Sequence, residues 1–168
     1  MTGAARAGLA RRLASLSYEA LLLIALVLLA NFVLLPVVSS GHATNAHGLT
    51  MPDVPERALL SCALFATAAV YFVWSWSGGR RTLPMKTWRM RIVDSAGAPL
   101  GYRRAFLRYL AAWIGPGLAL TTYLVLQPIG LAGVALVPLA LNYLAAFVDP
   151  EGQFLHDRIA GTRIVLER

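Results

Sequence analysis

Residues 109–148 read YLAAWIGPGLALTTYLVLQPIGLAGVALVPLALNYLAAFV, forty positions without a charged side chain. A helix needs only ~20 predominantly apolar residues to cross the hydrocarbon core of a bilayer, so this run is too long for one crossing and long enough for two. The natural place to divide it is QPIG at 127–130, where Pro128 and Gly130 supply a tight turn. Residues 105–126 and 129–148 are therefore expected as an antiparallel pair of membrane helices.

The same reasoning extends upstream. Residues 20–38 are uncharged and follow Arg6, Arg11 and Arg12. A cleaved signal peptide has a shorter apolar region of ~7–15 residues and a small-residue cleavage site, so a retained first span over 18–38 is expected. A second charge-free stretch ends in Tyr71, Phe72, Trp74 and Trp76, aromatics that suit a membrane interface, and gives a span over 58–78. The fold class expected is thus an all-α membrane protein of one domain, residues 1–168, with four transmembrane helices, an inner loop over 79–104 and a tail over 149–168.

Composition agrees. Only 14% of the residues are charged and 58% are hydrophobic, too little polar surface for a water-soluble domain of 168 residues. The net charge of +7 does not mark a nucleic-acid binder, because the arginines cluster between apolar segments instead of lining one basic face. Arginine supplies all but one of the cations, which suits anionic lipid headgroups and fixed ion pairs. Membrane lipids are the expected partners. The single cysteine, Cys62, lies in an apolar run and reads as a buried, inert thiol.

Charge counting tests the number of spans independently. The N-terminal tail holds three arginines, and residues 80–108 hold eight cations against one acid, Asp94, so both belong in the cytoplasm. The 39–57 loop, with Asp53, Glu56 and one arginine, and the uncharged QPIG turn belong outside. Four spans return the tail with Arg158, Arg163 and Arg168 to the cytoplasm, whereas three would export it. Both termini are expected on the cytoplasmic side of a bacterial inner membrane.

The inner segment has its own pattern. KTWRMRIVD at 86–94 alternates cationic and apolar residues with a period of two and runs into the turn material SAGAPLG, while TRIVLE at 162–167 has a similar pattern. The two could pair as a short β-ribbon beneath the helices; the rival reading is an interfacial segment with its arginines on anionic headgroups.

Among single residues Glu19 stands out, because an ionised carboxylate within a span costs a few kcal/mol unless compensated. Arg12 and Ser15 share its helical stripe, with ~10 Å of rise between Arg12 and Glu19, so direct contact is a stretch and water, Ser15 or an inner-loop arginine would have to bridge them. Asn31, Thr121, Thr122, Asn142 and Tyr143 are polar groups within spans that either bond helix to helix or line a path. Pro116, between two glycines, and Pro138 loosen the last two helices. His42, His47, Met51 and Asp53 have no recognised metal spacing, and there is no P-loop, nucleophile elbow or HExxH; neither cofactor, metal nor enzymatic activity is expected.

Three segments together, ARRLASLSYEALLL, TLPMKTWRMRIVDSAGAPLGYRRAFLRYL and FVDPEGQFLHDRIAGTRIV, resemble the RDD family of bacterial membrane proteins. That family is named for an arginine at the start of its first helix, an aspartate in the middle of it and a further aspartate. The resemblance places the arginine at Arg12 or Arg11 and the last aspartate at Asp157, beside Arg158. Glu19 stands where the family name expects aspartate, and Pro84 where similar sequences carry glycine. Asp157 is expected to hold the tail to the inner loop through Arg89, Arg91, Arg103, Arg104 or Arg108. Transport of an unidentified ligand, or cation/proton exchange, is what the resemblance implies, with a pore formed more naturally in a homo-oligomer. The alternative is a non-transporting scaffold or accessory protein that binds anionic lipid or a partner protein through its basic inner face.

Overall fold

The computed structural model describes residues 7–38, 52–150 and 152–167. His42, His47 and Met51 of the 39–57 loop lie outside the described residues. The chain is mostly helical, with three helices long and apolar enough to cross a membrane and one two-stranded sheet.

Helix α1 covers Leu9–Val38 and starts well before the expected span. At ~1.5 Å per residue its thirty residues reach about 45 Å, more than the ~30 Å hydrocarbon core. The extra turns at its N-terminal end are the part that packs against other elements: Arg12, Ser15 and Glu19 are its buried residues, on the single stripe their spacing implies. Helix α2 covers Val54–Trp76. Its start is fixed by a capping box, in which the Asp53 carboxylate accepts from the Glu56 N–H at 2.9 Å and the Glu56 carboxylate accepts from the Asp53 N–H at 3.0 Å.

The third crossing candidate is Tyr102–Ile129. It is built from α4, Tyr102–Ala112, and α5, Ile114–Leu126, after the short α3, Leu83–Thr87. The join falls at Trp113 because Pro116 has no N–H to give the Ala112 carbonyl. The chain then turns through Gly130, whose φ of +77° is one that glycine adopts freely, and passes through the short 3-10 segments Gln127–Ile129 and Ala132–Ala135. Helix α6, Leu136–Val148, runs back against α5. It has thirteen residues where about twenty are expected, since Gly130 and the 3-10 turns take up the start of that run. The described residues thus show three helices of spanning length and a shorter fourth apolar one.

The β-ribbon is present. Strand β1, Met90–Asp94, pairs antiparallel with β2, Thr162–Leu166, with Ile92 opposite Ile164. Asp94 closes the turn after β1 by accepting from the Ala96 and Ala98 N–H groups, both at 2.9 Å, and from Arg104 at 2.7 Å. Short helix α7, Leu155–Ile159, leads through Gly161, at φ +62°, into β2.

The packed core lies at this ribbon end. Phe72 and Trp76 of α2, Met85 of α3, Met90 and Ile92 of β1, Tyr109 of α4 and Ile164 of β2 form one buried cluster. Away from it the helices expose apolar side chains: Leu28, Phe32, Leu124, Val125 and Phe147 are all exposed, and so is Cys62, expected buried, because its face of α2 lies outside the packed base. This is the reverse of a water-soluble fold. It suits a lipid surround, where apolar side chains lose nothing by facing out.

Candidate functional site

The tail is held by a buried ion pair. Arg108, on α4, reaches Asp157, on α7, through Nε at 2.8 Å and Nη2 at 2.6 Å, both to the same carboxylate oxygen. Arg108 is 2% exposed and Asp157 0%, so this pair is fully desolvated. Of the five arginines expected as partners, Arg108 makes the contact. The guanidinium also lies over the Trp76 ring at 4.2 Å, and Thr162 Oγ1 donates to the Asp157 carbonyl at 3.3 Å, joining β2 to α7. Burial pushes the Asp157 carboxyl up, but Arg108, together with His156 and Arg12 nearby, outweighs it and holds the group below the usual carboxylate range.

His156 completes this clasp. Its ring stacks on Phe154 and its Nε2 lies 3.3 Å from Arg108 Nη2. A guanidinium only donates, so Nε2 accepts and the neutral imidazole carries its proton on Nδ1. Burial lowers the His156 pKa to about 4. Below its ordinary value of 6.5 the unfolded chain takes the proton and the folded chain does not, so stability from this group is lost as the pH falls from about 6.5 towards 4. Acid titration of the melting temperature of the detergent-solubilised protein should show that loss, and His156→Gln should flatten it; an unchanged acid profile in the variant would place the sensitivity elsewhere.

Arg12 serves the same end of the molecule. Its guanidinium donates to the Gly152 carbonyl and, at 3.5 Å, to the Ile164 carbonyl, so α1 is tied to the tail and to β2. Arg12 and Asp157 therefore act on one assembly from opposite sides. Arg158 is not part of it: its exposed side chain pairs with Asp149 at 3.0 Å. Asn142 lies on α6, and its side chain is outside the described residues.

Glu19 has partners that its own stripe does not predict. Its two carboxylate oxygens accept from the Tyr71 hydroxyl at 2.9 Å and from Thr82 Oγ1 at 2.7 Å. Among the described residues neither Ser15 nor an arginine bridges it at hydrogen-bond distance. Thr82 is the N-cap of α3 and also accepts from the Met85 N–H at 3.4 Å, so one carboxylate joins α1 to α2 and to the start of the ribbon segment. A threonine just before Leu-Pro is a readable helix start. Its link to Glu19 is tertiary and leaves no local trace in the sequence.

Between these groups is a cavity of about 270 Å³. Glu19, Arg12, Arg108 and His156 contribute to its wall, and the remainder is mostly apolar, including Leu23, Phe72, Trp76, Tyr109, Trp113 and Pro116. Chemically it is an apolar chamber with charged groups at its ribbon end, a composition that suits an amphipathic ligand. Among the described residues no group of three histidine, cysteine, aspartate or glutamate side chains is placed to hold a metal ion.

Long apolar helices, a two-stranded ribbon and a buried arginine–aspartate clasp at one end together define a helical membrane protein with a small packed base. The RDD family model matches residues 6–161, and the chain belongs to the RDD family. No curated protein and no solved structure matches it.

Proposed function

We propose that this protein is a four-span carrier of the bacterial inner membrane, with both termini and the ribbon in the cytoplasm, that moves a small ligand in a proton-coupled cycle. The observation that carries the reading is Glu19, a buried carboxylate on the cavity wall whose hydrogen bonds tie α1 to α2 and α3. Protonation removes its charge and turns one of its acceptor oxygens into a donor. That weakens the bonds from Tyr71 and Thr82 and loosens α1 from the base, which is the movement a carrier needs. The apolar wall favours an organic ligand over exchange of a bare metal cation, which demands a shell of oxygen ligands. The protein is then a carrier and not an enzyme.

The fourth span in this proposal is α6 with the 3-10 segment before it. Their combined length is about 28 Å, close to the hydrocarbon thickness. A homo-oligomer would cover the exposed apolar faces of neighbouring copies and enlarge the path. Topology is tested by labelling: Ser40→Cys and Ser95→Cys should react with an impermeant thiol reagent from opposite sides of the membrane. Reaction of both from one side would sink the four-span arrangement.

The scaffold reading has one observation in its favour. Lys86, Arg89, Arg91 and Arg103 are exposed and have no carboxylate partner among the described residues. Such a basic face suits anionic headgroups or an acidic partner. Purified protein in liposomes decides between the two, because a scaffold shows no ligand-driven flux under any gradient.

A further inference from the structure

The base of the cavity carries donors without acceptors. Arg108 Nη1 and Trp76 Nε1 are buried N–H groups with no hydrogen-bond partner among the described residues, and both residues line the cavity. Arg108 is 2% exposed and Trp76 7%. Leaving a buried donor unsatisfied is costly, more so when it belongs to a charged group, and the loss is recovered when a ligand supplies an acceptor. The two sit together, since the guanidinium lies 4.2 Å from the Trp76 ring centre.

The other charges leave this spot to a ligand. Arg108 keeps Asp157 through Nε and Nη2, so Nη1 is its remaining arm; Asp157 Oδ2 is also buried without a partner among the described residues, but Asp157 does not line the cavity. Arg12 is held by the Gly152 and Ile164 carbonyls. His156 is neutral above about pH 4. Glu19 lines the cavity, but both of its oxygens already accept, from Tyr71 and Thr82. Apart from Ser15, the rest of the wall is apolar and aromatic. A volume of about 270 Å³ is room for one medium-length chain.

We propose that the cavity binds a single-chain amphiphile with a monoanionic oxygen headgroup, its head accepting from Arg108 Nη1 and Trp76 Nε1 and its chain lying along Phe72, Leu23 and Pro116. The proposal rests on the ligand-carrier reading above and specifies its ligand. Carboxylate, sulfate and phosphate esters share the required chemistry, and the probes separate them from other heads.

Isothermal titration of the full-length protein in phosphatidylcholine nanodiscs, corrected for empty nanodiscs, should give saturable binding of octyl sulfate and octanoate. Both should bind roughly tenfold or more tighter than octanol, because a charge-assisted hydrogen bond is the stronger kind. Octyltrimethylammonium should show no saturable binding. Arg108 variants risk unfolding the clasp, so Trp76→Phe is the informative change: it keeps the ring beneath the guanidinium, removes one N–H, and should weaken octyl sulfate about tenfold with the melting temperature unchanged. Tighter binding of octyltrimethylammonium than of octyl sulfate would put a cation against Glu19 and overturn the proposal. So would heats equal to those of empty nanodiscs, or wild-type octyl sulfate affinity in Trp76→Phe. Saturable octyl sulfate binding without flux in liposomes would support this site and refute the carrier, whereas flux of another solute without octyl sulfate binding would do the opposite.

Discussion

Asp157→Ala should destabilise the detergent-solubilised protein by about 3–5 kcal/mol, the range for removing one partner of a buried ion pair. The cause is the guanidinium left behind. Arg108 is 2% exposed and cannot turn to water; Nε would join Nη1 as a buried donor without an acceptor, and Nη2 would keep only His156 Nε2. Thr162 would lose its side-chain contact with the carboxylate, although its bond to the Asp157 carbonyl would remain. Asp157→Asn keeps an acceptor oxygen and loses the charge, so it should fall between wild type and alanine. By contrast Arg158→Ala breaks only an exposed pair, worth ~0–1 kcal/mol, and should melt close to wild type. Thermal melts of the three variants in one detergent measure the order. Wild-type melting of Asp157→Ala would mean that the tail is held by other contacts.

Glu19→Gln should abolish ligand-driven proton movement while leaving the protein folded. Glutamine retains one acceptor oxygen, so one of the hydroxyls of Tyr71 and Thr82 keeps its bond and the other loses an acceptor, a cost of ~1 kcal/mol. What disappears is the titratable group. Glu19→Asp should keep activity, because it restores the aspartate for which the family is named and Tyr71 and Thr82 can still donate to a carboxylate. Glu19→Leu removes both bonds and should loosen α1 from α3, lowering the melting temperature as well. Flux and melting temperature measured on the same preparations separate a coupling role from a packing role. A folded Glu19→Gln protein with wild-type flux would exclude Glu19 as the coupling residue.

The elements of this fold were legible to the degree that they are local. Charge-free length marks α1, α2 and the last apolar pair, and period-two alternation marks both strands of the ribbon. Their pairing was one of two readings, because similar patterns expected on one side of the membrane could equally lie on headgroups; the structure shows the pair. The break at Trp113 and the late start of α6 were less readable, since Pro116 and Gly130 announce an interruption without fixing how the chain resumes. The site divides in the same way. Arg12, Glu19 and Asp157 stand out because charges beside apolar runs need a reason. Their partners are set by tertiary packing across large separations in sequence. Tyr71 could be read only as an interfacial aromatic, Thr82 only as a cap, and Trp76 only as belt material, while the structure makes the first two donors to Glu19 and the third the platform for Arg108. Arg158, a candidate functional or ion-pair residue in the sequence, does form an ion pair, but its partner is Asp149 and the pair lies outside the clasp.

The most direct test of the carrier is proton movement in liposomes holding the purified wild-type protein and a trapped pH indicator. External octyl sulfate, Na⁺, K⁺ and Li⁺ are added in turn, each against protein-free liposomes. The account predicts a saturable internal pH change on addition of octyl sulfate, a probe that cannot carry a proton across by itself, and none on addition of the metal cations. No pH change with any of the four probes, from protein shown to be folded and inserted, would contradict it.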